Sequence, residues 1–298
     1  MPLAPHSPYA PEAAWTSVTS DGTRVLAIGG ARGGAHANVR WTVWSGSAAG
    51  VEELPQDFSV FGGWGAGDLV GAVITPLGEA LVGTWGGARA GLDATAYPRS
   101  GDAFTRQDPA GTALQSTPEL LVGPRSAAAA GDGIVVSGSA IHLGAGTVAQ
   151  LAAVWRSSRG AAGWQRVDLP DAGGHSEAAS ASCRGAHCVI AGHVDGVLAR
   201  WSLDDDAATR MAAVPRIAVG DNDSVPAPLV VHGHDVQLVA DGGQVVALTL
   251  EDSGWRRSAG PAGSPVEAAL VGERLYVVVT GAAGAPATLW QSDIRTWG

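Results

Sequence analysis

The chain has 298 residues, 43 of them glycine and 11 tryptophan, and its apolar share of 46% is large enough for a sizeable core. Its formal net charge is −10, and its 18 basic residues are all arginines scattered along the sequence, which argues against a nucleic-acid binder with a clustered basic surface. No apolar run reaches about 18 residues, so no membrane-spanning segment is predicted.

The first residues, MPLAPHSPYAP, predict a flexible leader rich in proline and alanine. They lack the charged stretch followed by an apolar stretch that marks a signal peptide. We therefore expect residues 1–11 to be the start of a mature chain, with a signal peptide already removed, and residues 12–298 to form the folded domain.

From residue 12 onward, one pattern recurs six times. A run of small residues such as RSAAAAGDG is followed by a β-rich run such as DGIVVSGSA, a variable loop, and two strands around a tight turn, as in VWRSSRGAAGW. The copies span residues 12–54, 66–108, 124–170, 175–215, 226–261 and 264–298. This period is typical of four-stranded propeller blades, and one blade alone cannot bury both faces. The sequence therefore predicts an all-β, six-bladed β-propeller with four antiparallel strands per blade.

Aromatic residues recur beside the outer turn of each unit, and in some units on both sides of it. We interpret them as fillers of the wedges between blades: Trp44, Trp155, Trp164, Trp201, Trp255, Trp290 and Trp297. The last unit is complete at Trp297, so ring closure needs no borrowed strand, although residues 6–16 could supply one.

Propeller ligands usually meet a mouth built from two sets of loops. Loops between the second and third strands hold one set of candidate binding residues: Arg32, His36, Arg89, Asp93, His142, His193, Asp195 and Asp241. The second set consists of three long connections between blades, at residues 56–68, 107–125 and 216–226. Long loops on a rigid scaffold are where function concentrates.

Three aromatic residues in the first long connection, Phe58, Phe61 and Trp64, do not fit the blade pattern. Exposed between glycines, they would provide a contact for a sugar or a protein, since aromatic rings supply large contact area. The alternative is that they plug the channel or pack beneath the loop.

The candidate metal ligands are sparse. Asp221 and Asp223 offer oxygen ligands at alternating positions, which suits calcium, but the EF-hand glycine and glutamate are missing and a plain polar turn is the preferred interpretation. His232 and His234 lack a third ligand, and two cysteines are too few for a structural zinc site, although His187 and His193 lie near them. No metal site is assigned.

Cys183 and Cys188 are separated by four residues in SASCRGAHCVIAG. Two interpretations are open: unrelated buried thiols, or a disulfide across a hairpin, which would imply an oxidising compartment.

The turn of the third unit resembles the Asp-box of sialidase-like, or BNR, propellers, whose pattern is Ser-x-Asp-x-Gly-x-x-Trp. Ser157 and Trp164 fit, but Arg159 stands where aspartate is expected. The segment SCRGAHCVIAG resembles a repeat of secreted actinobacterial propellers in which paired cysteines staple the inner hairpin. The resemblance implies a propeller fold and an extracellular location. Sialidase chemistry is not implied, because Tyr97 and Tyr276 read as core residues and no tyrosine nucleophile is evident.

We find no nucleophile elbow, P-loop or zinc-protease motif. The leading hypothesis is a secreted, non-enzymatic recognition module that binds a protein or a glycan through its loop-rich face, as a subunit of a larger extracellular assembly or alone. The alternative is a hydrolase or lyase acting on a sugar or peptide in the central funnel, with funnel histidine, arginine and aspartate residues as catalysts. An enzyme requires at least two of the eight mouth residues to converge in a pocket.

Overall fold

The computed structural model describes residues 2–33, 39–144, 146–281 and 286–296. It is nearly all β, with 65% strand and 3% helix, and its sheets are arranged as a six-bladed propeller. The predicted fold class is confirmed, because each recurring sequence unit forms its own sheet.

The first three blades account for the strands up to residue 168. In chain order these are β1 (Leu3–Ala4), β2 (Ala14–Ser20), β3 (Val25–Arg32), β4 (Val39–Ser47) and β5 (Gly50–Glu53) in blade 1; β6 (Ala66–Thr75), β7 (Gly78–Gly86), β8 (Leu92–Ser100) and β9 (Ala103–Phe104) in blade 2; and β10 (Leu120–Ala130), β11 (Gly133–Gly144), β12 (Thr147–Arg159) and β13 (Ala162–Asp168) in blade 3. A short helix, α1 (Phe58–Phe61), connects blades 1 and 2.

The last three blades follow the same plan. Their strands are β14 (Ser176–Arg184), β15 (His187–Val194), β16 (Val197–Asp204) and β17 (Ala207–Arg210) in blade 4; β18 (Leu229–Val231), β19 (His234–Asp241), β20 (Gln244–Glu251) and β21 (Gly254–Ala262) in blade 5; and β22 (Ser264–Val271), β23 (Arg274–Thr280) and β24 (Thr288–Asp293) in blade 6. Within the described part of the chain, blade 6 has three strands.

Each blade is an antiparallel meander in which neighbouring strands in sequence pair in space. Strands β2, β6, β10, β14 and β22 and the segment preceding β18 of blade 5 line the central channel, a cavity of about 540 Å³, and small residues such as those of Ala127–Ala129 and Ser180–Ser182 dominate there. Small side chains are required because six strands crowd around one axis.

The tryptophans pack as the blade pattern predicts. Trp44, Trp155 and Trp201 are almost completely buried, and Trp164 and Trp255 are half-buried. Trp290 is half-buried as well, whereas Trp297 lies outside the described residues. The six described tryptophans of this set belong to, or pack against, apolar clusters that lie within or between the blades.

The outer turn of blade 3 is held by its serine. The Ser157 hydroxyl accepts a hydrogen bond from the Ile134 N–H at 2.8 Å and donates to the Gly160 carbonyl. Gly160 has a φ of +50°, a backbone conformation that favours glycine. The turn is therefore stabilised although Arg159 replaces the aspartate of an Asp-box.

The leader, predicted to be flexible, is instead attached to blade 1. Strand β1 pairs in parallel with β5, the outer strand of that blade. The buried Glu53 carboxylate accepts hydrogen bonds from the N–H groups of His6 and Ser7, at 2.6 and 2.5 Å, and from the Ser7 hydroxyl at 2.6 Å. The sequence pattern missed this because the acceptor lies 46 residues away along the chain.

Cys183 and Cys188 form a disulfide between the directly opposed residues of β14 and β15. The disulfide lies next to the turn that joins the first two strands of blade 4. Of the two interpretations of the sequence, the structure shows the bonded pair. Across the described ranges, no helix has the length and apolarity needed to cross a bilayer.

Candidate binding face

The meander places two kinds of loop at one end of the propeller, which we call the mouth face. Loops between second and third strands lie there, together with the connections between blades, whereas the hairpin of the disulfide lies at the opposite end. The predicted mouth residues are distributed over all of the first five blades: Arg32, Arg89, Asp93, His142, His193, Asp195 and Asp241. His36 lies outside the described residues.

Three of these residues have structural partners. Asp93 is buried and accepts a hydrogen bond from the Ser116 N–H at 2.7 Å. Asp195 accepts from the N–H groups of Gly174 and His175, at 3.1 and 2.9 Å. Asp241 forms an ion pair with Arg257 of its own blade at 2.5 Å.

The remaining described members lie in four different blades. Arg32 lines a funnel of about 870 Å³ between blades 1, 2 and 3, Arg89 is exposed, and His142 is half-buried in blade 3. Among the described mouth residues only His193 and Asp195 meet, on either side of His175. Of the described mouth residues, His193 and Asp195 therefore lie in one cluster, and the others lie apart from it in blades 1, 2, 3 and 5.

A separate pocket of about 300 Å³ opens between blade 1, the N-terminal segment and α1, and we call it the junction pocket. Its walls include Tyr9, Arg40, Trp41 and Phe58, with Glu53 at the leader side. The Trp41 side chain also lines the funnel, so it separates the two cavities.

Arg40 is the polar centre of the junction pocket. Its guanidinium carbon lies 4.6 Å from the centroid of the Phe58 ring and 5.7 Å from that of Tyr9. Its Nε atom is buried and has no hydrogen-bond partner among the described residues. A buried donor without an acceptor is costly, about 1–3 kcal/mol, so an acceptor for this atom would stabilise the protein.

The three aromatic residues of the first connection separate into two groups. Phe61 is buried and packs edge-on against Tyr97, with ring centroids 5.2 Å apart, so it anchors α1 beneath the loop. Phe58 is 59% exposed and Trp64 is fully exposed. Gly62 allows the Phe58 ring to fold back, because a Cβ at residue 62 would overlap that ring.

Blade 4 carries a cluster of two histidines and one aspartate. The Asp221 Oδ1 atom lies 2.9 Å from His175 Nε2 and 3.5 Å from His193 Nε2. The hydrogen bond with His175 holds the pKa of Asp221 below its usual range, so the carboxylate is ionised at neutral pH. Asp223 does not face this cluster, because its carboxylate accepts from the Gly220 N–H at 2.6 Å.

Glu267 is an acidic residue that lines the central channel, together with Asp223 and Arg125. Solvent reaches Glu267 through the channel, yet desolvation by the surrounding inner strands raises its pKa. Arg125 forms an ion pair with Glu177 at 3.0 Å.

Sequence reasoning missed Tyr9, Arg40 and His175. Arg40 had a detectable signal, since it shares a face of β4 with the buried Thr42 and Trp44 in strict alternation. Tyr9 was assigned to the flexible leader, and His175 follows two glycines in a connection with no periodic pattern.

No family model matches the chain, and no curated protein matches its sequence. Solved structures do match. A fungal lectin from Aleuria aurantia, described as a six-bladed β-propeller with a novel fucose recognition mode, has a TM-score of 0.57 and 11% identity over 96% of this chain and 93% of its own. A triple arginine-to-alanine mutant of AofleA from Arthrobotrys oligospora has a TM-score of 0.55 and 11% identity, over 94% and 82% of the two chains.

A puromycin-hydrolyzing peptidase of Mycobacterium tuberculosis has a TM-score of 0.56 and 15% identity. The match covers 96% of this chain but only 46% of the peptidase. At these identities, the likeness to lectins and to a peptidase alike shows the fold alone.

Proposed function

We propose that the protein is a non-enzymatic recognition module that binds a glycan in the junction pocket of its mouth face. The observation that carries this proposal is the position of Arg40, a cationic donor with a buried, unpartnered Nε, between two aromatic rings at a cavity of about 300 Å³.

A saccharide matches this chemistry. Its ring has apolar C–H faces that pack on an aromatic side chain, and its hydroxyl oxygens accept hydrogen bonds from a guanidinium. The exposed face of Phe58 and the free donor of Arg40 lie at the same cavity, so one sugar ring would contact both. Two of the similar structures are AofleA and the Aleuria aurantia lectin, and the latter is described with a fucose recognition mode. This likeness supports a saccharide as the first ligand class to test.

We further propose that the protein acts outside the cell. The Cys183–Cys188 disulfide supports this, because such bonds persist in oxidising compartments. A larger extracellular assembly would place the exposed Trp64 beside the glycan site as a protein contact.

The test is a glycan array probed with the wild-type protein, Phe58→Ala and Leu77→Ala. Leu77 is a 47% exposed residue in the turn between β6 and β7, at the end opposite the mouth face, and serves as the matched control. We expect the wild type and Leu77→Ala to give the same glycan signals and Phe58→Ala to give weaker signals for those glycans. Absence of binding to any glycan, or equal binding by all three proteins, would contradict the proposal and direct the search to a protein partner by affinity capture.

A further inference from the structure

Two histidines and an aspartate from three separate segments meet on the mouth face of blade 4. His175 immediately precedes β14, His193 lies near the end of β15, and Asp221 lies in the connection to blade 5. One ligand atom from each residue lies within 4.8 Å of the others. We propose that these three side chains bind a divalent transition-metal ion of the zinc class.

The distances suit such an ion. Zinc bonds of about 2.0–2.2 Å in a tetrahedral site place neighbouring ligand atoms about 3.3 Å apart. The two contacts of the Asp221 Oδ1 atom, 2.9 Å to His175 and 3.5 Å to His193, lie on either side of that separation. The histidine rings are 5.7 Å apart between centroids, so a small inward movement brings both nitrogens to one ion.

His193 provides an independent observation that points to a ligand. Its side chain is 2% exposed, and neither ring nitrogen has a hydrogen-bond partner among the described residues. A neutral imidazole has one donor and one acceptor nitrogen, so burying both without partners is unfavourable. Coordination of Nε2 would use the lone pair that the protein leaves unsatisfied.

The supporting residues hold the cluster in place. The Asp195 carboxylate accepts from the His175 N–H at 2.9 Å, and the Asp195 N–H donates to the His175 carbonyl at 2.7 Å. The Asp221 segment is fixed by its own turn, in which Gly220 and Asp223 exchange hydrogen bonds of 2.6 and 3.0 Å. Backbone hydrogen bonds therefore fix the segments that carry His175 and Asp221.

A second histidine–aspartate pair on the opposite face shows the contrast. His187 Nδ1 lies 2.7 Å from Asp204 Oδ1, but both side chains are exposed, and no third ligand joins them among the described residues. That pair has the geometry of an ordinary surface contact. The blade 4 cluster differs in having a third ligand and a buried imidazole.

The donor set also selects the class of metal. Two imidazoles and one carboxylate suit zinc and its neighbours, whereas calcium prefers six to eight oxygen ligands. Asp221 and Asp223, predicted from the sequence as a calcium pair, point to different partners. His175 and Asp221 are partly exposed, so a bound ion would keep an open position toward solvent.

The experiment uses the full chain without a polyhistidine tag, stripped with a chelator and dialysed against ZnCl₂. Metal content is measured by mass spectrometry and affinity by calorimetry, with CaCl₂ as the alternative ion. We expect one zinc per chain and about 100-fold weaker binding in His175→Ala and Asp221→Asn. His187→Ala is the control and should bind zinc like the wild type.

Three outcomes would overturn the proposal: no stoichiometric zinc, equal zinc affinity in His175→Ala and the wild type, or stoichiometric calcium without zinc. His175 and Asp221 are partly exposed, so replacing them avoids the risk of unfolding that replacing the buried His193 would carry. Circular dichroism verifies that the variants are folded. Cobalt gives a second readout, since its visible absorption bands should appear in the wild type and be absent in Asp221→Asn. Arg40→Ala should retain zinc, which separates this site from the proposed glycan pocket.

Discussion

Two junctions between blades each contain an arginine stacked on an aromatic ring, but the surroundings of the two arginines differ. Where blades 4 and 5 meet, Arg200 of β16 is fully buried, with its guanidinium carbon 4.9 Å from the ring centroid of Trp255. Its Nη2 atom lies 3.8 Å from Asp235, and desolvation lowers its pKa to about 10. Where blades 1 and 2 meet, Arg40 lies against Phe58 and opens to a cavity.

The connection between the blades explains the difference. After blade 4, the long connection places the apolar side chains of Ile217, Val219 and Val225 in the core beside blade 5, and Trp255 packs against them. After blade 1, the connection forms α1, which buries Phe61 but leaves Phe58 at the rim of the cavity. Under the proposed function, an arginine stacked on an aromatic ring would therefore mark a ligand site only where the connection leaves space beside it.

The largest expected effect is on stability, at the junction of blades 4 and 5. Arg200→Ala removes a fully buried side chain and leaves Asp235 without its partner, so we expect the free energy of unfolding to fall by about 3 kcal/mol. Urea denaturation measures it. Arg200→Met keeps the packing and should lose much less, and glycan affinity should stay unchanged in both. A wild-type unfolding midpoint in Arg200→Ala would show that this junction does not depend on its arginine.

At the junction of blades 1 and 2 we expect a substitution of the arginine to affect glycan binding more than stability. Arg40→Ala should weaken glycan binding about tenfold, or ~1.4 kcal/mol, while the free energy of unfolding changes by less than about 1 kcal/mol. Titration calorimetry with a glycan identified on the array measures the loss. Arg40→Lys keeps the charge but not the planar donor, so it should recover little of the affinity. Full recovery by lysine would mean that charge alone, rather than directed hydrogen bonding, attracts the ligand.

Phe58→Ala removes the aromatic wall while leaving Arg40 in place. We expect about fivefold weaker binding, or ~1 kcal/mol, because the stacking surface is lost and the arginine becomes less well positioned. The same calorimetric titration compares it with Trp64→Ala, an exposed aromatic outside the walls of the pocket, which should retain wild-type affinity. A greater loss in Trp64→Ala than in Phe58→Ala would relocate the site to the tip of the loop.

The smallest effect is expected from Gly62→Ala. The added Cβ would overlap the Phe58 ring and displace it, since a side-chain ring can move more easily than backbone. Affinity should fall about twofold without loss of stability. A variant that combines Gly62→Ala with Phe58→Ala should bind no more weakly than Phe58→Ala alone, and an additive loss would contradict this explanation.

The blade pattern was predictable because each strand follows local rules. Alternating apolar residues and Gly-rich turns repeat in every unit, and the structure forms six sheets. Trp44, Trp155 and Trp201 were likewise identified as core residues, since each precedes the outer turn of its unit.

The junction pocket was not predictable to the same degree. Phe58 stood out because it breaks the pattern, but its partners Tyr9 and Arg40 lie 49 and 18 residues earlier in the sequence and approach it only through the folding of blade 1 and its flanking segments. The metal cluster has the same origin, since His175 and Asp221 are 46 residues apart and meet through a long connection. Such contacts depend on tertiary geometry that no local pattern encodes.

The most direct test of the central claim is a crystal structure of the protein bound to the strongest glycan ligand from the array. We predict a sugar ring packed on Phe58, with a hydroxyl oxygen accepting a hydrogen bond from Arg40 Nε. A sugar bound in the funnel beside Arg32, at the blade 4 cluster, or anywhere else outside the junction pocket would contradict the account.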